Sequence, residues 1–231
     1  MKKIPYLMGD KVANDHTDKE LREVAMELEN AVTIPVNTEL DIDHRVLDLS
    51  ELKNILGKAE KLAIQECQCR LSRKNCDSPL ETCVTINPSD DWVEKYPEYH
   101  PRFISLDEVL EAMKKSHEAG LVHLAYTMKG TDHMHHVCSC CPCCCSTLGG
   151  LIRHGISTTV LTSRLIAEDE ESKCINCGKC VNRCVFGARW LEDGKKNYIK
   201  EKCFGCGLCV STCPSKAINL IDRDQRKINE E

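Results

Sequence analysis

No cysteine occurs before Cys67, yet from there on the chain holds eighteen in three groups: Cys67, Cys69, Cys76 and Cys83; Cys138, Cys140, Cys141, Cys143, Cys144 and Cys145; and eight more from Cys174 to Cys213. Such a density is several times ordinary usage and means that the thiols hold something. A disulfide scaffold fits poorly. The N-terminal stretch MKKIPYLMGDKVAND has no apolar h-region of about 7 to 15 residues to mark export. No uncharged apolar run approaches the roughly 18 to 20 residues of a membrane span. The expected setting is the cytoplasm, where thiols stay reduced and clustered cysteines bind metal or do redox work.

With 42% hydrophobic but only 4% aromatic residues, the core must rest on aliphatics, on cysteine and on inorganic groups acting as staples. The charge is uneven: residues 172–231 carry 12 Lys and Arg against 7 Asp and Glu, whereas the whole chain has a net charge of -5. The acidic run Glu168–Glu171 reads as a solvated linker. Two domains are expected, 1–171 and 172–231. In the first, apolar spacing predicts helices over Asp18–Asn30 and Ser50–Ile64, and Ser105 with Glu108 forms a capping box that opens a third helix ending at Gly120. Leu121–Met128 reads as a strand and Asn87–Pro101 as a loop. The expected class is α+β, with a mainly helical Cys-rich N-terminal domain ahead of a small C-terminal one.

From Cys174 the chain reads C-I-N-C-G-K-C-V-N-R-C, and from Cys203 C-F-G-C-G-L-C-V-S-T-C-P. Each is C-x2-C-x2-C-x3-C, the run that ligates 4Fe-4S clusters. Three closely spaced thiolates on a looping backbone reach three corners of a cubane, helped by Gly178, Gly205 and Gly207; the fourth ligand comes from the other run. This assigns Cys174, Cys177, Cys180 and Cys213 to one cluster, and Cys203, Cys206, Cys209 and Cys184 to the other. Paired zinc sites are the rival, but zinc leaves the third cysteine of each triplet unexplained. The basic excess offsets cluster charge of about -2 each. It is too scattered for nucleic-acid binding.

On these residues Lys173–Leu220 resembles the bacterial-type two-cluster ferredoxins, departing where Val185 follows Cys184 in place of the usual proline. The resemblance implies a ferredoxin-like fold of two pseudo-symmetric halves, with strands near Ala188–Leu191, Tyr198–Lys200 and Ala217–Ile221. The C-x-C-R segment at Cys67 and the C-x-C-C-x-C-C-C run at Cys138 look like the N-terminal part of iron–sulfur electron-transfer proteins from anaerobes that end in such a domain. That implies one or two additional iron–sulfur clusters.

From the residues alone, the ten N-terminal thiols admit three readings: further iron–sulfur ligation, structural zinc with His135 or His136 assisting, or a redox-active dithiol. Adjacent cysteines such as Cys140 and Cys141 point apart in an extended chain, so they do not readily serve one iron. Arg70 either donates to a sulfur or is a surface residue. No haem motif, dinucleotide fingerprint or phosphate loop is present, and Gly149-Gly150 and His154-Gly155 read as turns. The expected function is single-electron transfer to redox protein partners, a flavin or nicotinamide enzyme among them, in anaerobic metabolism. The alternative is a reductase whose N-terminal cluster or thiols meet substrate. No catalytic residue is assigned.

Overall fold

The structure is a computed structural model that describes Lys19 and residues 28–33, 56–128, 134–155 and 160–223. Most of the helix expected over Asp18–Asn30 lies outside the described residues. Its last three residues open a strand instead, β1 (Leu28–Thr33). The helix expected over Ser50–Ile64 is corrected at its end, where a turn at Leu56–Lys58 leads into β2 (Leu62–Glu66). The three leading residues of β2 are all buried. A continuous apolar run of this kind carries no period that separates a buried strand from a helix, and Gly57 breaks the helical pattern just before it.

The chain continues through α1 (Gln68–Arg73), β3 (Glu81–Ile86), the short α2 (Trp92–Lys95), β4 (Arg102–Phe103), α3 (Leu106–Glu118), β5 (Val122–Met128), β6 (Met134–Cys140), α4 (Ser146–His154), β7 (Val160–Leu161) and β8 (Leu165–Asp169). Helix α3 begins as the sequence predicts: Glu108 N–H donates to Ser105 Oγ and Ser105 N–H to Glu108 Oε2. Gly149 and Gly150 are helical, not a turn; a Cβ on Gly149 would stand 2.9 Å from the Pro142 carbonyl oxygen.

Strands β1 to β7 form one sheet in the order β4-β2-β3-β6-β5-β1-β7, antiparallel except for β1 against β7. This sheet overturns the expectation of a mainly helical N-terminal region; the class is mixed helix and strand. Side chains alternate across it. Ile64, Val84, Ala125 and Val137 point to one face and bury Val109 and Met113 of α3 there. Cys83, Cys138, Cys140, Leu124 and Tyr126 share the other face by register.

Against that second face lies the C-terminal module: α5 (Lys179–Arg183), β9 (Arg189–Glu192), β10 (Lys195–Tyr198), α6 (Leu208–Ser211) and β11 (Ile218–Asp222). β9 pairs with β10, and β11 reaches back to pair antiparallel with β8. The acidic run Glu168–Glu171 is therefore not a linker: it ends β8 and begins a 3-10 turn, Glu171–Lys173. Val185 and Leu208 join Val122, Leu124, Tyr126 and Leu148 in one buried cluster. His117 Nε2 meets Ser211 Oγ at 2.7 Å, and Arg183 Nη2 donates to the carbonyls of His117 and Glu118. Among the described residues no helix is long and apolar enough to cross a membrane.

Candidate metal centres

The module repeats its own backbone. A 3-10 turn precedes each first cysteine, with Cys174 N–H donating to Glu171 O and Cys203 N–H to Lys200 O. Asn176 (φ 54°) matches Gly205 (φ 75°), Gly178 (74°) matches Gly207 (76°), and Gly187 (64°) matches Lys216 (53°). Cys184 N–H donates to Val181 O as Cys213 N–H does to Val210 O. At Gly205 the requirement for glycine is absolute, since a Cβ would lie 2.0 Å from the Leu165 carbonyl oxygen. The left-handed residues turn the chain around a centre, so that the three thiols of each loop face inward.

Cys174, Cys177, Cys180 and Cys213 line one cavity, with Cys213 arriving from the other half and its sulfur accepting from Ala217 N–H at 3.2 Å. Cys184, Cys203, Cys206 and Cys209 gather similarly: burial, followed by repulsion from Cys209, Cys184 and Cys203, pushes Cys206 well above the usual thiol range. Burial does the same to Cys209, raising it to about 12. Four clustered thiols, of which Cys206 and Cys209 are held protonated by burial and by their neighbours, suit a cationic core that removes their protons, so the donor set fits an iron–sulfur cluster. Arg189 is the buried cation nearby. Burial works against its charge, and Cys209 and the Asp169 carboxylate more than reverse that. Its guanidinium grips Asp169 through two bonds of 2.9 and 2.7 Å and stacks 4.0 Å over the Tyr198 ring, while Lys196 Nζ bonds the same carboxylate.

The two sites are unequal in setting. Cys177 is exposed and Ile175 beside it is 64% exposed. Cys206, in contrast, packs with Phe186, Val185 and Leu208 against the N-terminal sheet.

The ten N-terminal thiols divide into two sets. β6 sends Cys138 and Cys140 to one face, and the turn after it reverses direction at Cys141. Cys67, Cys69, Cys83, Cys138, Cys140 and Cys145 therefore surround a cavity of about 490 Å³ together with Tyr126 and His136. The thiols meet in a chain: Cys67 contacts Cys69 and Cys83, Cys83 contacts Cys138, and Cys145 contacts Cys69 and Cys140. The Tyr126 hydroxyl, buried, stands 3.6 Å from Cys140 Sγ and 3.9 Å from Cys145 Sγ; burial and these thiols raise it well above the ordinary phenol range. Leu148 N–H donates to Cys145 Sγ at 3.4 Å, where Cys145 caps α4. Cys76, Cys141, Cys143 and Cys144 form the second set, packed beside Cys69 of the first.

The sequence groups these ten cysteines by position along the chain and not by the site they line, offers His136 only as an aid to zinc, and gives no place to Tyr126; the period-2 alternation of β6 is the available signal. It also left Arg70 open between two readings. The residue is 2% exposed and donates to Ser139 O at 3.0 Å, to Thr82 Oγ1 and to Cys141 Sγ at 3.8 Å.

Residues 167–220 match the family model of the 4Fe-4S dicluster domain. This stretch is a ferredoxin-type 4Fe-4S domain. No curated protein matches the chain.

Proposed function

We propose that the protein relays single electrons through two 4Fe-4S clusters in its C-terminal module and on to a third iron–sulfur cluster in the six-thiol chamber. The observation that carries the reading is the duplicated loop, which converges two quartets of thiols from interleaved halves. A 4Fe-4S cluster supplies one-electron redox chemistry over a wide potential range, about -700 to +450 mV. Cys174, Cys177, Cys180 and Cys213 hold the outer cluster beside solvent, where a redox protein partner reaches it. Cys184, Cys203, Cys206 and Cys209 hold the inner one. From there Val185, Leu208 and the Cys206 side chain fill a packed path to Cys140 and Cys145. The chamber supports a polynuclear group, because no three of its donors converge closely enough for one ion, and Tyr126 is set to donate to its sulfurs.

The aperture of the chamber favours a second reading, in which the chamber cofactor meets a small oxidised substrate and the chain is a reductase with the module as its feed. Iron, acid-labile sulfide and EPR of the reduced, anaerobically purified protein test the first reading. Fewer than about eight irons per chain contradict the two clusters of the module, and acid-labile sulfide no higher than about eight per chain contradicts the third. Turnover of a small disulfide or unsaturated acceptor with an artificial donor, and no partner protein, selects the second.

A further inference from the structure

The second thiol set differs in scale from the others. Cys76, Cys141, Cys143 and Cys144 place all four sulfurs within 4.8 Å of one another, and no other three His, Cys, Asp or Glu donors among the described residues come as close. Cys76 Sγ lies 3.6 Å from Cys141 Sγ and 3.9 Å from Cys144 Sγ, and Cys143 Sγ lies 3.9 Å from Cys144 Sγ. A single tetrahedral ion with metal–sulfur bonds of about 2.3 Å sets its ligands about 3.8 Å apart. A cubane carries its four thiolates on four different irons and spreads them to roughly 6 Å. The ferredoxin-type quartets in the same chain have the wider spacing, since neither falls within the 4.8 Å limit.

The surroundings are those of an anionic centre. Arg70 is buried, and the groups that most favour its charge, against the cost of burial, are the thiols Cys67, Cys141 and Cys140. Arg153 Nη2 donates to the Pro142 and Cys143 carbonyls, with Cys143 and Cys144 again favouring its charge against burial. Four thiolates on a divalent ion carry a net charge of -2, which two guanidiniums balance. Backbone and side-chain donors reach the sulfurs as well: Asn75 N–H points to Cys144, and Ser78 donates to Cys76. Asn75 Nδ2 also bonds the Cys143 carbonyl at 3.0 Å, fixing the loop that carries three of the ligands.

We infer that Cys76, Cys141, Cys143 and Cys144 bind one thiophilic divalent ion, zinc or iron(II), as a closed mononuclear tetrathiolate that carries no inorganic sulfide. With all four positions taken by protein, the ion fastens the segment after α1 to the turn between β6 and α4 and so holds Cys69 against Cys145 in the chamber wall. The inference is independent of the electron-transfer reading. The test is metal and acid-labile sulfide analysis of the anaerobically purified full-length protein and of Cys143→Ser, with metal-edge X-ray absorption on the wild type. The expected result is one zinc per chain, or one iron in excess of sulfide, with four sulfur neighbours at about 2.3 Å. Cys143→Ser should lose that ion at least tenfold more readily to a chelator, with sulfide unchanged. Loss of about four irons and four sulfides in Cys143→Ser would overturn the proposal, as would a wild type with neither zinc nor excess iron. Should Cys143→Ser misfold, the wild-type absorption spectrum and metal-to-sulfide ratio decide alone.

Discussion

Val185 and Pro214 occupy equivalent places after the fourth cysteine of each run, but only Val185 is buried, at 1% exposure, between the module and the N-terminal sheet. The missing proline is thus explained: its place is taken by a branched apolar side chain that fills the join. Val185→Ala should cost about 2 kcal/mol, whereas Pro214→Ala should change stability by less than about 1 kcal/mol; paired chemical melts of the holoprotein check the contrast. Tyr126→Phe keeps the packing and removes the hydroxyl beside Cys140 and Cys145. Hydrogen bonds to sulfur stabilise the reduced state of a bound cluster, so the variant should shift one potential downward in a redox titration and leave the other two in place.

At the level of elements, what could be read from the sequence was whatever is local. The capping box of α3 needs only Ser105 and Glu108, the strand at β5 needs only its own residues, and the two C-x2-C-x2-C-x3-C loops carry their turns with them. The sheet was not readable in this way. β6, MHHVCSC, is built from histidines and cysteines that ordinary strand propensity undervalues, and its partners β3 and β5 lie on opposite sides of it, one far earlier in the chain. The role of β8 was hidden because its acidic end resembles a linker, and only the long-range pairing with β11 reveals a strand. Within that pairing, Gly205→Ala should be among the most damaging substitutions. A left-handed φ costs a residue with a Cβ about 1 to 2 kcal/mol, and the new atom would also press on the Leu165 carbonyl, displacing β8. The expected outcome is loss of the visible cluster absorption on purification, while Gly194→Ala, with open space around its Cβ, retains it at the cost of the φ strain alone.

Across the whole molecule, the contact between module and sheet carries a pH dependence. His117 and His123 stack with ring centroids 6.0 Å apart. Burial, then Arg183, lowers His117 to about 4, and burial, then His117, lowers His123 to about 3. An unfolded histidine titrates near about 6.5, so below that pH the unfolded chain holds protons that the folded chain does not. Their contribution is complete above about 6.5 and declines as the pH falls toward the folded values, by at most about 1.4 kcal/mol per pH unit for each histidine. Thermal melts of the holoprotein between pH 7.5 and 5 should show the decline, and His117→Gln, which removes one of the two titrating rings, should flatten it.

A duplicated scaffold standing alone would treat its two halves alike, so that an electron would have no reason to prefer either end. Here one half is pressed onto a neighbour and the other left in water, and the asymmetry comes from the packing of Val185 and Leu208 rather than from any difference between the ligand sets. Twin lobes thereby gain a front and a back, which in the proposed relay would give the traffic through them a heading.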